Sequence, residues 1–443
     1  MAGKHQSRED LVMALSSAVP EGRAELSMAE LDALADPTAK LVTSAGPAAL
    51  RDYERFRTLD ARGLRFDFES ARQAHIGKTV LVTGGTGCIG GALLRELTAL
   101  SVGRLVSLSR GCMVPSKVVD GVEYRHADIR DAEAVNRVFC DIQPDIVYHL
   151  AAQHDPGLAE IEIARTLSTN VTGSTIVMAA CRDHGAMIIH ASTGKALRPL
   201  SRDVYAASKK AAELALAAMI DSGELVGVMA RFTHVVDNSI IAERLRHWTQ
   251  SGAPIRLHSP HVSFYLQSAK EAAHLLICAG LHAGRWVLKT AAIGDLGWPI
   301  SLMDLALGWL SSTGQRCPVY LCGFEAGYEV APYPGLYDPR LSGDISPLFN
   351  ALEASTVVES AHSDNVELCS VAFSGDGGVQ AAVKSLASAA GAEIDHEVLR
   401  TMLVECGWAM WSGTVQATPT AVLERHATMS ALIPVGRYNC DNA

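Results

Sequence analysis

Residues 79–100 read TVLVTGGTGCIGGALLRELTAL, a short β-type apolar run that breaks into glycines and resumes with helical apolar spacing. Gly84, Gly87 and Gly90 stand three apart. Glycines at those places permit a tight turn, close approach of a charged group to the backbone, and close packing of the helix on the strand. The helix start then directs unpaired N–H groups at the turn, an arrangement suited to a pyrophosphate. Between a strand and a helix this spacing predicts a dinucleotide turn through Gly84, Thr86, Gly87, Cys88, Ile89 and Gly90.

The same rhythm continues downstream. RLVSLS (104–109), VEYRHA (122–127), DIVYHL (145–150), AMIIHA (186–191) and LVGVMARF (225–232) are β-rich runs separated by helical stretches. Near-continuous apolar strands alternating with helices predict an α/β fold, a doubly wound parallel sheet of the Rossmann type. Four segments are expected: a helical N-terminal extension (1–76), the dinucleotide-binding domain (77–235), a smaller C-terminal substrate subdomain (236–350) and a helical C-terminal tail (351–443). SMAELDALAD (27–36) has a serine cap with Glu three residues on, and ALRDYERFRTLDARG (49–63) reads as a charged helix. This extension packs on the core or on a second subunit. PYPGLYDPRLSGDISP (332–347) has the turn chemistry of an ordered loop.

Composition narrows the partners. The 443 residues are 48% hydrophobic with a net charge of −10, which argues against nucleic-acid or anionic-membrane surfaces but not against one anionic small molecule. No apolar run approaches the roughly 18 residues of a membrane span. The first residues are charged too early for a secretory signal. Ten cysteines lie without C-x-x-C pairs or histidines at zinc spacing, so reduced thiols, no metal site and a cytoplasmic location are expected.

The second strand ends Ser109-Arg110, where an acidic residue usually holds a ribose 2′-hydroxyl. A cation there suits a 2′-phosphate, so NADP is expected, with NAD as the alternative. After the third strand, Asp128 and Ile129 are placed to flank an adenine; taken alone, Asp128 equally reads as a helix cap. Downstream, "IIHASTGKALRPLSRDVYAASKKAAELAL" (188–216) carries Tyr205 and Lys209 in a Y-x-x-x-K spacing. A phenol ionising near pH 10 is a poor base at neutrality. A lysine four residues later on the same helical face can stabilise its phenolate, so Tyr205 can take an alcohol proton as hydride leaves.

In this order VTGGTGCIG, HADIRD, HLAA (149–152), Asn170 in TNVTGS, and S-T…Y-x-x-x-K resemble the extended short-chain dehydrogenase/reductases over roughly residues 77–330. The resemblance implies dinucleotide contacts at Leu150, Ala151, Ala152 and Asn170 besides Tyr205 and Lys209. It implies that Thr193, with Ser192 as alternate, orients a substrate oxygen. A homodimer through helices beside the Tyr205 helix is expected by analogy.

STGKA (192–196) further resembles the S-T-D-K-A of the polysaccharide-biosynthesis branch, the nucleoside-diphosphate-sugar 4,6-dehydratases and their epimerase relatives. The lead-in GLRFDFESARQAHIGKTVLVTGG, the stretch HLAAQHDPGLAE and ARFTHVVDNSIIAERLRHWTQSGAPIRLHSP match that branch as well. The resemblance implies a nucleotide sugar whose C4 hydroxyl is oxidised to a ketone. Lys195 then removes the acidified neighbouring hydrogen, and hydride returns from the cofactor. His154, Asp155, Arg231, His234 and Arg256 are the expected substrate contacts, Arg256 offsetting an arginine lost in VSFYL (262–266).

Gly194 departs from the pattern, because glycine cannot donate the proton that the branch's aspartate gives. Another group, such as His154, Asp155 or Asp203, replaces it; or no water leaves and Lys195 inverts a centre beside the ketone; or the site only reduces or oxidises a carbonyl. A stoichiometric NADPH-dependent carbonyl reductase and a non-catalytic cofactor-binding regulator are the rival readings.

Overall fold

Strand β1 (Thr79–Thr83) is buried along nearly its whole length, as a strand covered by helices on both faces must be. In the computed structural model it lies inside a nine-stranded sheet of order β14-β15-β11-β6-β5-β4-β1-β2-β3. The other members are β2 (Arg104–Ser109), β3 (Val122–His126), β4 (Ile146–His149), β5 (Met187–Ala191), β6 (Gly227–Ala230), β11 (Lys289–Ile293), β14 (Val358–Ser360) and β15 (Val366–Ser370). The pairs from β3 through β11 are parallel, whereas β15 joins β11 and β14 antiparallel. The doubly wound architecture expected from the sequence is present. The structure describes residues 6–424 apart from 46, 60–61, 112–117, 198–202, 239, 329–347, 350–351, 353–357, 361–362, 364, 371–376 and 393. The loop expected at 332–347 therefore lies outside the described residues for all its length.

The chain runs from β1 outward to β2 and β3, then returns to place β4 on the other side of β1. That reversal makes the carboxyl ends of β1 and β4 the crevice of an open α/β sheet. Helices α5 (Cys88–Thr98), α6 (Ala132–Ile142), α9 (Ser174–His184) and α10 (Val204–Asp221) connect the strands. Between β4 and α9 lie α7 (Pro156–Ile161), α8 (Ile163–Leu167) and one wide π-type turn, Ser168–Gly173.

Contacts group the described residues into two compact units rather than four segments. The larger comprises Gly63–Thr233, Lys270–Asp295 and Pro334–Ala443, so the C-terminal helices belong with the sheet. Those helices, α14 (Gly377–Ala390) and α15 (His396–Ala417), bury Val379, Val383, Leu386, Leu399, Leu403 and Met410 against Leu167, Val171, Val204, Ala207 and Ala211. The C-terminal helices thus cover α8, the π-type turn and the first turns of α10.

The smaller unit comprises Met1–Arg62, His234–Ala269 and Leu296–Tyr333. Of its N-terminal helices α1 (Arg8–Ala18), α2 (Met28–Ser44) and α3 (Pro47–Thr58), the first two start at serine caps, Ser7 and Ser27, each reciprocated by an acid three residues on. Leu15, Leu34, Leu41 and Phe56 then share one core with Met303, Leu307 and Leu310 of α13 (Leu302–Thr313) and with Ile255 and Val319. The N-terminal extension is part of this unit's core. Among the described residues no helix is long and apolar enough to cross a membrane, and no cysteine forms a disulfide.

Candidate active site

The glycine turn is tight for reasons visible atom by atom. Gly84 adopts φ +74°, and a Cβ there would stand 2.8 Å from the amide nitrogen of Ala151 after β4. A Cβ on Gly90 would lie 2.3 Å from the Gly84 carbonyl oxygen, so only glycine lets α5 start this close to the turn. Gly87 caps α5 without a side-chain hydrogen bond, so the glycine itself does not block the helix N-terminus. The N–H donors of a helix start and the dipole behind them suit a diphosphate.

At the ends of β2 and β3 the side chains divide. Arg110 is exposed, and its carbonyl is bound by His126 Nε2 at 2.6 Å. Asp128 accepts from the Arg130 amide (3.0 Å) and from its guanidinium (2.7–3.1 Å), which holds the carboxyl below the usual carboxylate range. Asp131, not Asp128, caps α6. Ile129 was expected beside an adenine. It is instead buried beneath the turn glycine Gly173, whose Cβ, if present, would meet Ile129 at 2.8 Å. Its side chain contributes to the core because the π-type turn approaches closely there.

After β4, the amides of Leu150 and Ala151 donate to Thr83 Oγ1 (3.2 and 3.3 Å), which also bonds His149 Nδ1 (2.7 Å). Asn170, buried in the π-type turn, accepts from the Gln153 amide (2.7 Å) and donates to the Gln153 carbonyl (3.0 Å) and to Ser208 Oγ (2.9 Å). One amide side chain therefore fastens the loop beside the glycine turn to α10, one residue from Lys209. Such π-type insertions mark sites where a side chain must be aimed.

Strand β5 delivers Ser192, Thr193 and Lys195. Backbone amides of Ser192 and Gly194 donate to the carbonyls of Ala230 and Phe232 (both 2.8 Å), which sets the segment's path. Thr193 lies close enough to the Tyr205 phenol to favour its ionised form, and Thr193 Oγ1 accepts from the Lys195 amide at 3.3 Å. Lys195 Nζ lies 6.0 Å from the centre of the Tyr205 ring. Lys209 Nζ donates to the Ala191 carbonyl at 2.7 Å. Burial drives the Tyr205 phenol up to about 12, with Thr193 opposing and Asp203 adding to the rise. Enclosure thus outweighs Thr193 in setting the phenol, and the Lys209 ammonium beside it is engaged by a backbone carbonyl. Burial also lowers Lys209 to about 8, against the pull of Glu213.

A family model described as "polysaccharide biosynthesis protein" matches residues 80–327, more than half of the chain. The chain belongs to this family. Among relatives it is 25% identical over 297 residues to the "probable polysaccharide biosynthesis protein EpsC" of Bacillus subtilis, covering 63% of this chain and 49% of that protein. It is 24% identical over 253 residues to the "capsular polysaccharide biosynthesis protein CapD" of Staphylococcus aureus, covering 54% and 41%. The chain thus spans less than half the length of these two curated relatives. Two solved structures share its fold. Pen from Bacillus thuringiensis has a TM-score of 0.56 at 20% identity, covering 67% of this chain and 87% of that one. UDP-glucose 4-epimerase from Thermus thermophilus, solved with NAD, has a TM-score of 0.50 at 21% identity, covering 61% and 94%.

Within this member of the polysaccharide biosynthesis family, several expected substrate contacts have other partners. Arg231 is fully buried and paired in a fork with Glu213 (2.9 and 2.6 Å), so it braces the interior. Glu213 also accepts from Ser192 Oγ, which ties Ser192 down. Arg256, in the smaller unit, donates to the carbonyls of Arg23 (2.6 Å) and Ala24 (3.2 Å) and covers the Tyr320 ring. Both corrections have one cause, an unsatisfied group within the arginine's reach. His234 packs edge-on against Phe264 in the smaller unit, with ring centres 5.0 Å apart. His154 is exposed, and Asp155 caps α7 through the Leu158 amide at 3.0 Å. Asp203 likewise caps α10 through Ala206 at 2.7 Å. Glu213 was missed in the sequence; its only signal is an acid four residues after Lys209 on one helix face.

Proposed function

We propose that the chain isomerises a nucleotide-activated sugar through a transient ketone, using NADP that is restored in each cycle. The observation that carries this reading is the convergence of Thr193, Tyr205 and Lys195 at the end of β5. The glycine turn supports a dinucleotide, since the close approach at Gly90 and the uncapped start of α5 leave room and donors for a diphosphate. The exposed Arg110 at the end of β2, where no carboxylate stands, supports NADP over NAD. When bound, that cofactor would accept a hydride from a sugar carbon and give it back.

The chain's residues supply the rest. Thr193 holds the sugar hydroxyl and Tyr205 takes its proton. A phenol pushed up to about 12 needs added positive charge for this, and the Lys209 ammonium supplies it one helical turn away. The ketone acidifies the adjacent C–H, from which Lys195 removes a proton; the resulting enolate takes a solvent-derived proton on the opposite face, which inverts that carbon and leaves the ketone to be reduced again. Isomerisation is favoured over loss of water because Gly194 offers no acid, and because Asp155 and Asp203 both serve as helix caps.

The test is incubation of the purified chain with a panel of nucleoside-diphosphate sugars and substoichiometric NADP, read by mass spectrometry and NMR. An isomer is expected, and Tyr205→Phe should lower its rate by at least about 100-fold while dinucleotide still binds. Wild-type turnover by Tyr205→Phe removes the reading, and stoichiometric consumption of NADPH replaces it with a carbonyl reductase.

A further inference from the structure

The first turn of the Tyr205 helix is held from outside the site. Glu160, at the end of α7, accepts from the Val204 amide through Oε1 at 2.7 Å, immediately before Tyr205. Its other oxygen accepts from Arg400 Nη1 of α15 at 2.7 Å. A second Arg400 nitrogen reaches the Glu160 carbonyl at 3.5 Å. The Glu160 side chain is only 8% exposed while Arg400 is 35% exposed, so the carboxylate is shielded from water and its partner reaches it from the surface. The carboxylate also sits at the start of α10, where helix N–H groups favour negative charge.

The apolar surroundings point the same way. Tyr205 packs against the cluster that Leu399, Leu403 and Met410 of α15 form with Val204 and Ala207. Thr172 of the π-type turn donates to the Ala387 carbonyl of α14 at 3.0 Å, a second tie between the C-terminal helices and the elements around Tyr205. Neither Arg400 nor Glu160 touches Thr193 or Lys195 in any bond described above, so their influence must pass through the placement of α10.

We propose that Arg400 and Glu160 are positioning residues that set the Tyr205 hydroxyl through the first turn of α10, making the C-terminal helices part of the site's foundation. Its consequence for turnover rests on the function proposed above; the positioning itself does not. A displacement of the phenol by about 1 Å costs up to about 100-fold in rate, enough for a residue outside the site to matter.

The experiment uses full-length protein carrying tyrosine labelled with carbon-13 at Cζ, with the Tyr205 signal assigned by its loss in Tyr205→Phe. In Arg400→Ala the Tyr205 signal should move while the other tyrosine signals stay, and Arg400→Lys should bring it most of the way back. Glu160→Gln, which keeps an acceptor for Val204 but drops the charge, should move it in the same sense. If Arg400→Ala does not fold, Glu160→Gln carries the test. A Tyr205 signal unmoved in the folded variants overturns the proposal. With a turned-over sugar, Arg400→Ala should lower kcat about tenfold at unchanged KM; a uniform loss of folded protein with unchanged kcat per folded chain also overturns it. Absence of turnover from every sugar would count against the proposed reaction alone, because the tyrosine signal needs no substrate.

Discussion

Glu213 sits where Ser192, Lys210 and Arg231 converge, all of them buried. Removing one partner of such a group strands the others without their counter-charge. Glu213→Ala is therefore expected to cost about 3–5 kcal/mol by urea unfolding, and a cost within experimental error would show that Arg231 finds another acceptor. The buried His149 makes a second prediction. Burial, with the nearby Lys209 charge, lowers it to about 3 from an ordinary value of 6.5. Its neutral form contributes stability that is fully present above pH 6.5 and lost as pH falls toward 3. Between those values the unfolded chain binds one more proton there, worth about 1.4 kcal/mol per pH unit. His149→Gln should flatten the fall of stability between pH 6 and about pH 4.5 by roughly that slope; an unchanged slope would contradict a neutral buried imidazole. At this scale the sequence exposed Tyr205, Lys209, Thr193 and Lys195, because their spacing is local to one strand and one helix. It hid Glu213 and Arg400, and it misassigned Arg231 and Arg256, because a charged side chain's partner depends on contacts far along the chain.

Elements were legible to the extent that their pattern is periodic. The strands from β1 to β6 are apolar runs long enough to read, whereas α5 starts at Cys88, inside the glycine stretch and four residues before the helical apolar spacing resumes at Ala92. β14 and β15 escaped notice: the first is three residues long, and antiparallel strands lack the unbroken apolar run of a buried parallel strand. The caps show the same limit. Asp155 and Asp203 read as candidate acids in sequence, whereas their position just before α7 and α10 makes each an N-cap. The π-type turn is the element that most directly joins the dinucleotide turn to α10. Asn170→Ala leaves the Gln153 amide and carbonyl without their buried partner, at an expected cost of about 1–3 kcal/mol. Its distinctive outcome is weaker dinucleotide binding, by calorimetry, at temperatures where the variant remains folded. Unchanged binding would mean that the loop after β4 keeps its place without Asn170.

Across the whole molecule, the division into extension, domain, subdomain and tail dissolves into two cores. The N-terminal helices complete the smaller unit, because the apolar stripes of α1 to α3 and α13 need one another. The C-terminal helices complete the larger, and they cover the flank of the helix that carries Tyr205. The proposed reaction is a redox-neutral inversion beside a transient ketone, with Lys195 removing the proton and no acid at residue 194. The most direct measurement is the mass and NMR spectrum of the product formed in heavy water with substoichiometric NADP. The expected product is an isomer of the starting sugar carrying one solvent deuteron on the carbon beside the oxidised centre, with none formed by Lys195→Met. A product lighter by one water, or an isomer without solvent deuterium, would contradict it.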